Sequence, residues 1–337
     1  MTTSRTRYFV IVSLLILTIG LGTGLVAYYV GMPPAASATG PDELRFVPAN
    51  ASLVAYADVR AVLVSQVRRR LLDVLPLPSN GQKEFENETG INIDTDVDHL
   101  VACLTPPAQG SGLPLSGMAL VRGRFDEAKI ESLMQAHGAR VEQYKGSRIL
   151  AADVHAPQRA ANEIMSLAFL EPGLVAVGSD AVIHTAVDLK ASGANVTTND
   201  QVMSFVKSFA GNDAWAVGRF DALTAEAKLP QGVAAQMPAI TWFSAAGRID
   251  SGIAGTFRAD ATTAEAANNL RDLLRGIVAF ARLQAASRPD LQPMLDSLQL
   301  GGSGTSVTLA FDVTPQMFDQ LTAALKGLRR APLTPSK

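Results

Sequence analysis

The stretch MALVRGRFDEAKIESLMQAHGARVEQYKGSRILAA, Met118 to Ala152, contains one full cycle of the chain's architecture. Met118 to Arg122 is a short apolar run of strand length, closed by Gly123 and Arg124. Asp126 then stands where a helix N-cap belongs. Its carboxylate can accept the backbone N–H bonds of the first turn, and Phe125 before it is placed to pack on Ile130 as a hydrophobic staple. Leu133, Met134 and His137 continue that face until Gly138, which can take the left-handed conformation that ends a helix. Arg140 to Tyr144 and Arg148 to Ala152 read as two strands joined by a tight turn at Lys145-Gly146. A strand, a capped helix and a hairpin in succession define an α+β protein whose sheet is antiparallel.

The same grammar extends in both directions. Further strands are expected over Ser52 to Ala57, Leu100 to Leu104, Leu167 to Leu170, Leu174 to Val177, Ala214 to Arg219, Trp242 to Arg248, Ile253 to Arg258 and Ser306 to Asp312, with a second hairpin at Pro172-Gly173. The longest helix is expected to start at Thr262, which has capping-box spacing to Glu265, and to end before Pro289. Leu270, Leu273, Leu274, Ile277 and Val278 give it an apolar stripe. Thr314-Pro315 opens another helix, with Val313 stapled to Phe318 and Gly327 as its stop. A weak internal repeat accompanies the pattern. Gly123-Arg124-Phe125-Asp126 recurs as Gly218-Arg219-Phe220-Asp221 and in kind as Gly247-Arg248-Ile249-Asp250, each closing an apolar strand. The reading is a duplicated α+β body of antiparallel sheets covered by helices, with halves at 42–210 and 211–330 and a tail at 331–337.

Before that body, Tyr8 to Val30 runs 23 residues without a charge. At 1.5 Å per residue this is about 34 Å of helix, enough to cross a hydrocarbon core of about 30 Å. Residues 8–30 are therefore expected to be an uncleaved transmembrane helix. The alternative is a leader cleaved after the small-x-small triplet Ala36-Ser37-Ala38. Arg5 and Arg7 precede the helix and the first charges after it are Asp42 and Glu43, so residues 1–7 belong in the cytoplasm and the body outside it, in the periplasm. Tyr8 at one end and Tyr28-Tyr29 at the other suit interfacial anchors. Gly20 and Gly24 form a small-xxx-small pair, a route to a homodimer. Residues 31–41, rich in Pro, Ala, Ser and Gly, read as a tether.

Composition narrows the functions open to the body. The 337-residue chain is 47% hydrophobic and 18% charged, which suits a folded domain rather than a disordered one. Setting aside Arg5 and Arg7 leaves 27 basic against 31 acidic residues, without the basic face that a nucleic-acid partner requires. Arg68-Arg69-Arg70 is the one basic run, on a helix following Asp58 with Val59, Leu63, Val67 and Leu71 on its inner side. A single cysteine, Cys103, excludes an intramolecular disulfide and reads as a buried, inert thiol.

No motif for catalysis or a cofactor is present. The serines of Gly110-Ser111-Gly112 and Gly302-Ser303-Gly304 lack the strand-turn-helix setting of a nucleophile elbow, and no glycine-rich turn leads into Lys-Ser or Lys-Thr. His99, His137, His155 and His184 are not spaced as a zinc pair on one helix. The weak metal candidates are Asp94, Asp96 and Asp98, whose alternation resembles the start of a calcium loop. That pattern then departs, with His99 where the loop needs glycine and Thr105 where it needs the bidentate acid; the competing reading is a solvated acidic turn before a strand.

Arg45 to Arg60, with Phe46-Val47-Pro48-Ala49-Asn50-Ala51 leading into Leu53-Val54-Ala55-Tyr56-Ala57-Asp58-Val59, resembles the opening of uncharacterised bacterial membrane-anchored envelope proteins, and Ala168 to Leu189 is similar to later parts of the same group. The resemblance implies an exported, duplicated α+β fold and brings no catalytic residue with it. The resulting expectation is a noncatalytic, membrane-anchored extracytoplasmic protein that binds an unidentified protein partner. An exported ligand-binding domain with a pocket between the halves and an enzyme of unrecognised type are the alternatives.

Overall fold

The computed structural model describes residues 40–74, 79–106, 116–154, 163–191, 193–221, 239–285, 292–317 and 319–320. A short 3-10 helix, Asp42–Phe46, leads into β1 (Leu53–Ala57) and the helices α1 (Val59–Val64), α2 (Gln66–Val74), α3 (Ser79–Thr89) and α4 (Ile93–Asp96). Strands β2 (Val97–Thr105) and β3 (Ser116–Gly123) follow, then α5 (Glu127–Ala136). A four-strand meander comes next, β4 (Arg140–Tyr144), β5 (Ser147–Val154), β6 (Glu163–Glu171) and β7 (Leu174–Ser179), and then α6 (Asp180–Ala191) and α7 (Asp200–Ser208). The remainder is β8 (Ala214–Arg219), β9 (Ile240–Ile249), β10 (Ile253–Ala261), α8 (Ala264–Gln284), α9 (Gln292–Asp296), β11 (Gln299–Gly301) and β12 (Ser306–Val313).

The twelve strands among the described residues lie in one antiparallel sheet, in the order β11-β12-β10-β9-β8-β1-β2-β3-β7-β6-β5-β4. The expected pair of sheets is thus a single one, because β1 pairs with β2 on one side and with β8 on the other. Chain order explains the arrangement. In the first run, β1-β2-β3 form a meander, α5 crosses over, and the chain returns so that β7 pairs with β3. In the second run, β8-β9-β10 form a meander, α8 crosses over, and the chain returns so that β12 pairs with β10. The two runs meet at their first strands, with Tyr56 opposite Trp215 and Ala55 opposite Ala216.

Local chemistry sets the joints. Asp126 accepts a hydrogen bond from Lys129 N at 3.0 Å and caps α5, and Gly138 follows that helix at φ +91°. Lys145 and Gly146 both have positive φ in the β4–β5 turn, as a two-residue hairpin of that hand requires. The Gly-Arg-Phe-Asp motif ends β3 and β8, and its third form ends β9. Three expectations change. The cap of α8 is Thr263, whose hydroxyl accepts from Ala266 N at 3.1 Å, because Thr262 N is held by Ala239 O at the end of the sheet. The helix after Asp58 breaks at Ser65, whose hydroxyl accepts from Arg68 N and starts α2 afresh. Along α8 the apolar stripe divides: Leu270 is buried, whereas Leu273 and Ile277 are exposed.

One face of the sheet carries the main core. Val54, Tyr56, Val101, Cys103, Met118, Leu120, Trp215 and Val217 point into it, and the 3-10 helix, α6 and α7 cover it with Leu44, Phe46, Ile183, Val187, Val202 and Phe205. Strand alternation produces this: every second residue of β1, β2, β3 and β8 shares the face. On the other face, Ala57 and Ala214 pack with Ala61, Val62 and Val67 of α1 and α2, and Ala261 and Val307 pack with Ala267 and Leu270 of α8. No described helix is long and apolar enough to cross a membrane. The expected span Tyr8 to Val30, with Gly20 and Gly24, lies outside the described residues, as do most of the tether, His155, Phe318, Gly327 and the tail.

Candidate functional site

At the seam where the two runs join, polar side chains continue the inward face of the central strands. Val54 and Tyr56 on β1 are followed on the same face by Asp58, and Trp215 and Val217 on β8 are preceded on it by Asp213. Asp58 N donates to Asp213 O at 2.9 Å, holding the two strand ends together. The Asp58 side chain shares a hydrogen bond with the Tyr56 hydroxyl, and the backbone N–H of Arg60 at the start of α1 also bears on it. Burial pushes the Asp58 carboxyl up to about 6, against the opposing pull of His99 and Tyr56. Burial also raises Asp213 to about 6; Ile249 N, donating at 3.4 Å, opposes the rise and the neighbouring Asp58 charge adds to it. Burial likewise raises the Tyr56 phenol, with the Asp58 charge reinforcing it.

Beside this pair the rings form a ladder across three strands. Tyr56 lies 5.7 Å from both the His99 and the Trp215 ring centroids, and Trp215 stacks on Phe209 at 5.5 Å. His99 Nε2 lies 3.1 Å from Glu43 Oε2 but off the hydrogen-bonding direction. Glu43, carried by the 3-10 helix and 3% exposed, accepts from Arg122 Nε at 2.7 Å. Burial alone would raise the Glu43 carboxyl; the His99 and Arg122 groups outweigh it and hold it down to about 2. Arg122 continues the chain of charge, reaching Glu171 Oε2 and Pro172 O at 3.3 Å each, and Glu171 also binds Arg45. Burial disfavours the Arg122 charge, and its two carboxylate partners reverse that and raise its pKa.

The arrangement has two chemical characters. Glu43, Arg122, Glu171 and Arg45 form an alternating ion network that fastens the 3-10 helix to β3 and the β6–β7 turn. Asp58 and Asp213 are carboxyl groups that hold protons up to near neutral pH, with a phenol and an imidazole at hand.

The residues singled out in the sequence are distributed differently. Asp94 Oδ1 accepts from Arg68 at 2.9 Å, Asp98 pairs with Arg60, and Asp96 Oδ2 accepts from Asn92 N at 2.9 Å while its other oxygen lies 3.8 Å from Arg124. His99 belongs to the seam. His137 Nδ1 meets Leu133 O at 2.8 Å at the end of α5, and His184 lies between Glu142 and Asp180 on β4 and α6. Among the described residues no group of three or more His, Cys, Asp or Glu side chains gathers as a metal site requires. Arg70 of the basic run reaches Pro315 O and Asp319, and so points to a different partner from Arg68. Cys103 is 1% exposed and burial pushes its thiol up to about 12.

Glu43, Asp58 and Asp213 did not stand out in the sequence. The signal that finds Asp58 and Asp213 is alternation carried one step past the apolar run, since an acid two residues beyond Tyr56 or two before Trp215 continues an inward face; Glu43, on a 3-10 turn, carries no such signal.

No protein-family model and no curated protein matches the chain. Among solved structures, a structure of crystal form I of TP0453 is similar with a TM-score of 0.45 and 8% identity, covering 85% of this chain and 97% of that one. A likeness of that degree carries no argument about what this chain does.

Proposed function

We propose that the chain is a noncatalytic envelope protein, held in the inner membrane by the helix at Tyr8 to Val30, with an internally duplicated α+β body in the periplasm that binds a protein partner. The observation that carries the noncatalytic reading is the way the acids and imidazoles are used. Asp94, Asp96, Asp98, His99 and His184 each answer a different nearby group, and Glu43 is neutralised by Arg122. Groups spent in this way hold elements together, which supports a structural use of these residues; Asp58 and Asp213, raised by burial, stand apart from them. The duplicated plan rests on the matching course of β1–β7 and β8–β12 and on the recurring Gly-Arg-Phe-Asp strand ends. The sequence resemblance to membrane-anchored envelope proteins agrees with this reading, and the positive-inside rule supplies the orientation.

A reporter enzyme that works only outside the cytoplasm, fused after Lys337, tests the compartment, and alkaline extraction of the same cells tests the anchor. Activity with retention in the membrane pellet is expected. A full-length fusion that stays inactive reverses the orientation, and release by alkali removes the anchor.

A further inference from the structure

The two edges of the sheet differ. At one end β11 is three residues long and finishes in Gly301, a short edge that offers little to another strand. At the other end β4 is a regular five-residue strand without proline or bulge, and Arg140, Val141, Glu142 and Gln143 are exposed. Among the described residues no strand pairs with its outer side. The neighbouring helices are set back from it, with α5 over β5 and α6 over β6 and β7.

The hairpin fixes which backbone groups face outward. Lys145 and Gly146, both at positive φ, make a two-residue turn closed by the hydrogen-bonded pair Tyr144 and Ser147. Bonding alternates along an antiparallel ladder, so Arg140, Glu142 and Tyr144 turn their N–H and C=O groups toward β5, while Val141 and Gln143 turn theirs outward. Ala139 is next in the alternation; its N–H is bound to Met134 O at 2.9 Å, so it offers a carbonyl alone.

We propose that β4 is a self-association edge, on which β4 of a second copy of the chain pairs antiparallel about a two-fold axis beside Val141. The two Val141 residues then exchange both backbone bonds, and each Gln143 N–H donates to the partner's Ala139 carbonyl. On one face Val141, 39% exposed, meets the partner's Val141. On the other, each Arg140 stands opposite the partner's Glu142, in the closer, non-hydrogen-bonded spacing. An isologous contact needs a surface complementary to itself, and opposite charges two residues apart on a strand provide it. They also select the register. An axis at Glu142 would make as many backbone bonds but would set the two Glu142 carboxylates against each other at that close spacing. Both charges remain accessible beside their present neighbours: the Arg140 side chain is 67% exposed with Asp153 at 3.6 Å, and that of Glu142 is 50% exposed with His184 at 3.3 Å. Four backbone bonds and two exposed ion pairs make the association weak, salt-sensitive and concentration-dependent. The edge belongs to the body and is independent of the Gly20–Gly24 contact considered for the membrane segment.

The test is sedimentation of the full chain in mild detergent from about 1 to about 200 µM, a span suited to weak association. A Gly20→Leu/Gly24→Leu background removes any contribution from the anchor. A monomer–dimer equilibrium is expected, weakened about tenfold or more in Arg140→Glu and in Glu142→Arg. The double variant Arg140→Glu/Glu142→Arg should restore it, a result that damaged folding cannot produce. Val141→Pro removes an outward N–H that β5 does not use, so it should lose the dimer with the fold intact. Oxidation of an equimolar mixture of Arg140→Cys and Glu142→Cys chains should give a disulfide-linked dimer that neither chain gives alone, with Cys103 shielded by its burial. A chain that stays monomeric throughout would leave the edge to an unrelated strand and overturn the proposal. So would a dimer indifferent to the charge reversals, a mixture that does not cross-link, or cross-linking by Glu142→Cys alone.

Discussion

Replacing Asp213 by Asn should stabilise the protein at neutral pH, because the seam places two carboxyls where ionisation is costly. Asp213 is 7% exposed, beside Asp58. Burial lifts its carboxyl from the ordinary 3.8 to about 6. An acid whose folded pKa lies above its unfolded one binds its proton more tightly in the folded chain. The stability it lends is complete below the unfolded value and is lost as pH rises through the folded one. At 1.36 kcal/mol per unit the full shift corresponds to about 3 kcal/mol. Partial relaxation around the charge and the coupling to Asp58 reduce this to about 1–2 kcal/mol. Asparagine keeps a carbonyl oxygen for Ile249 N and removes the charge. Asp213→Asn is therefore expected to gain about 1–2 kcal/mol at about pH 7.5, and less than half of that at about pH 4.5, where the folded carboxyl is already protonated. Glu43 does not confound the comparison, since it is present in parent and variant alike and its contribution cancels in their difference. Urea unfolding of the full chain in mild detergent, followed by the fluorescence of Trp215 and Trp242, measures the difference. A variant no more stable than the parent at pH 7.5, or one with an unchanged slope between the two pH values, refutes the account.

The Glu43→Gln change leaves Arg122 in a half-buried site with only Glu171 as a carboxylate partner, and should cost about 2–4 kcal/mol at neutral pH in the same measurement. The parent should lose that advantage as pH falls from 4.5 toward 2, so the two curves converge in acid. Cys103 should resist a disulfide-exchange reagent in the native state and react once denaturant opens the core, whereas prompt native labelling would contradict its burial. Gly178→Ala would drive a methyl into the Gly117 carbonyl, with Met118 Cα at 2.7 Å, so β7 must move away from β3. The expected loss is about 1–3 kcal/mol, read as a lower melting temperature.

Much of the fold was legible because its signals are local. The turn at Lys145-Gly146, the cap at Asp126 and the strand over Ala214 to Arg219 each depend on neighbours within a few residues, and all three stand where the sequence places them. The joining of the halves was not legible. That β1 pairs with β8 as well as with β2 is a choice between partners far apart in the chain, and both faces of Leu53 to Ala57 carry apolar or small residues that suit a strand covered on each side. The cap of α8 moved from Thr262 to Thr263 for a similar reason. Two adjacent threonines offer the same hydroxyl, and only the bond from Thr262 N to Ala239 O decides between them.

The seam was missed for a reason that bears on how such sites are found. Asp58 reads as a helix cap because it precedes Val59, and a cap is the commonest use of an aspartate at that place. In the structure its carboxyl also meets the Tyr56 hydroxyl, and its backbone N–H is taken by the Asp213 carbonyl. Glu43 reads as a solvent-facing acid next to Asp42, yet a single 3-10 turn brings it onto Arg122 while Leu44 and Phe46 enter the core around it. Each acid is ordinary in its own segment. What makes them unusual is that strands from both runs end at one place, so that charges tolerable singly at strand ends share a half-dry space. Glu43 meets a guanidinium there and stays ionised; at Asp58 and Asp213 the opposing hydrogen bonds do not outweigh burial, which raises both carboxyls. The difference in partner, rather than in burial, separates a carboxyl held at about 2 from two held at about 6.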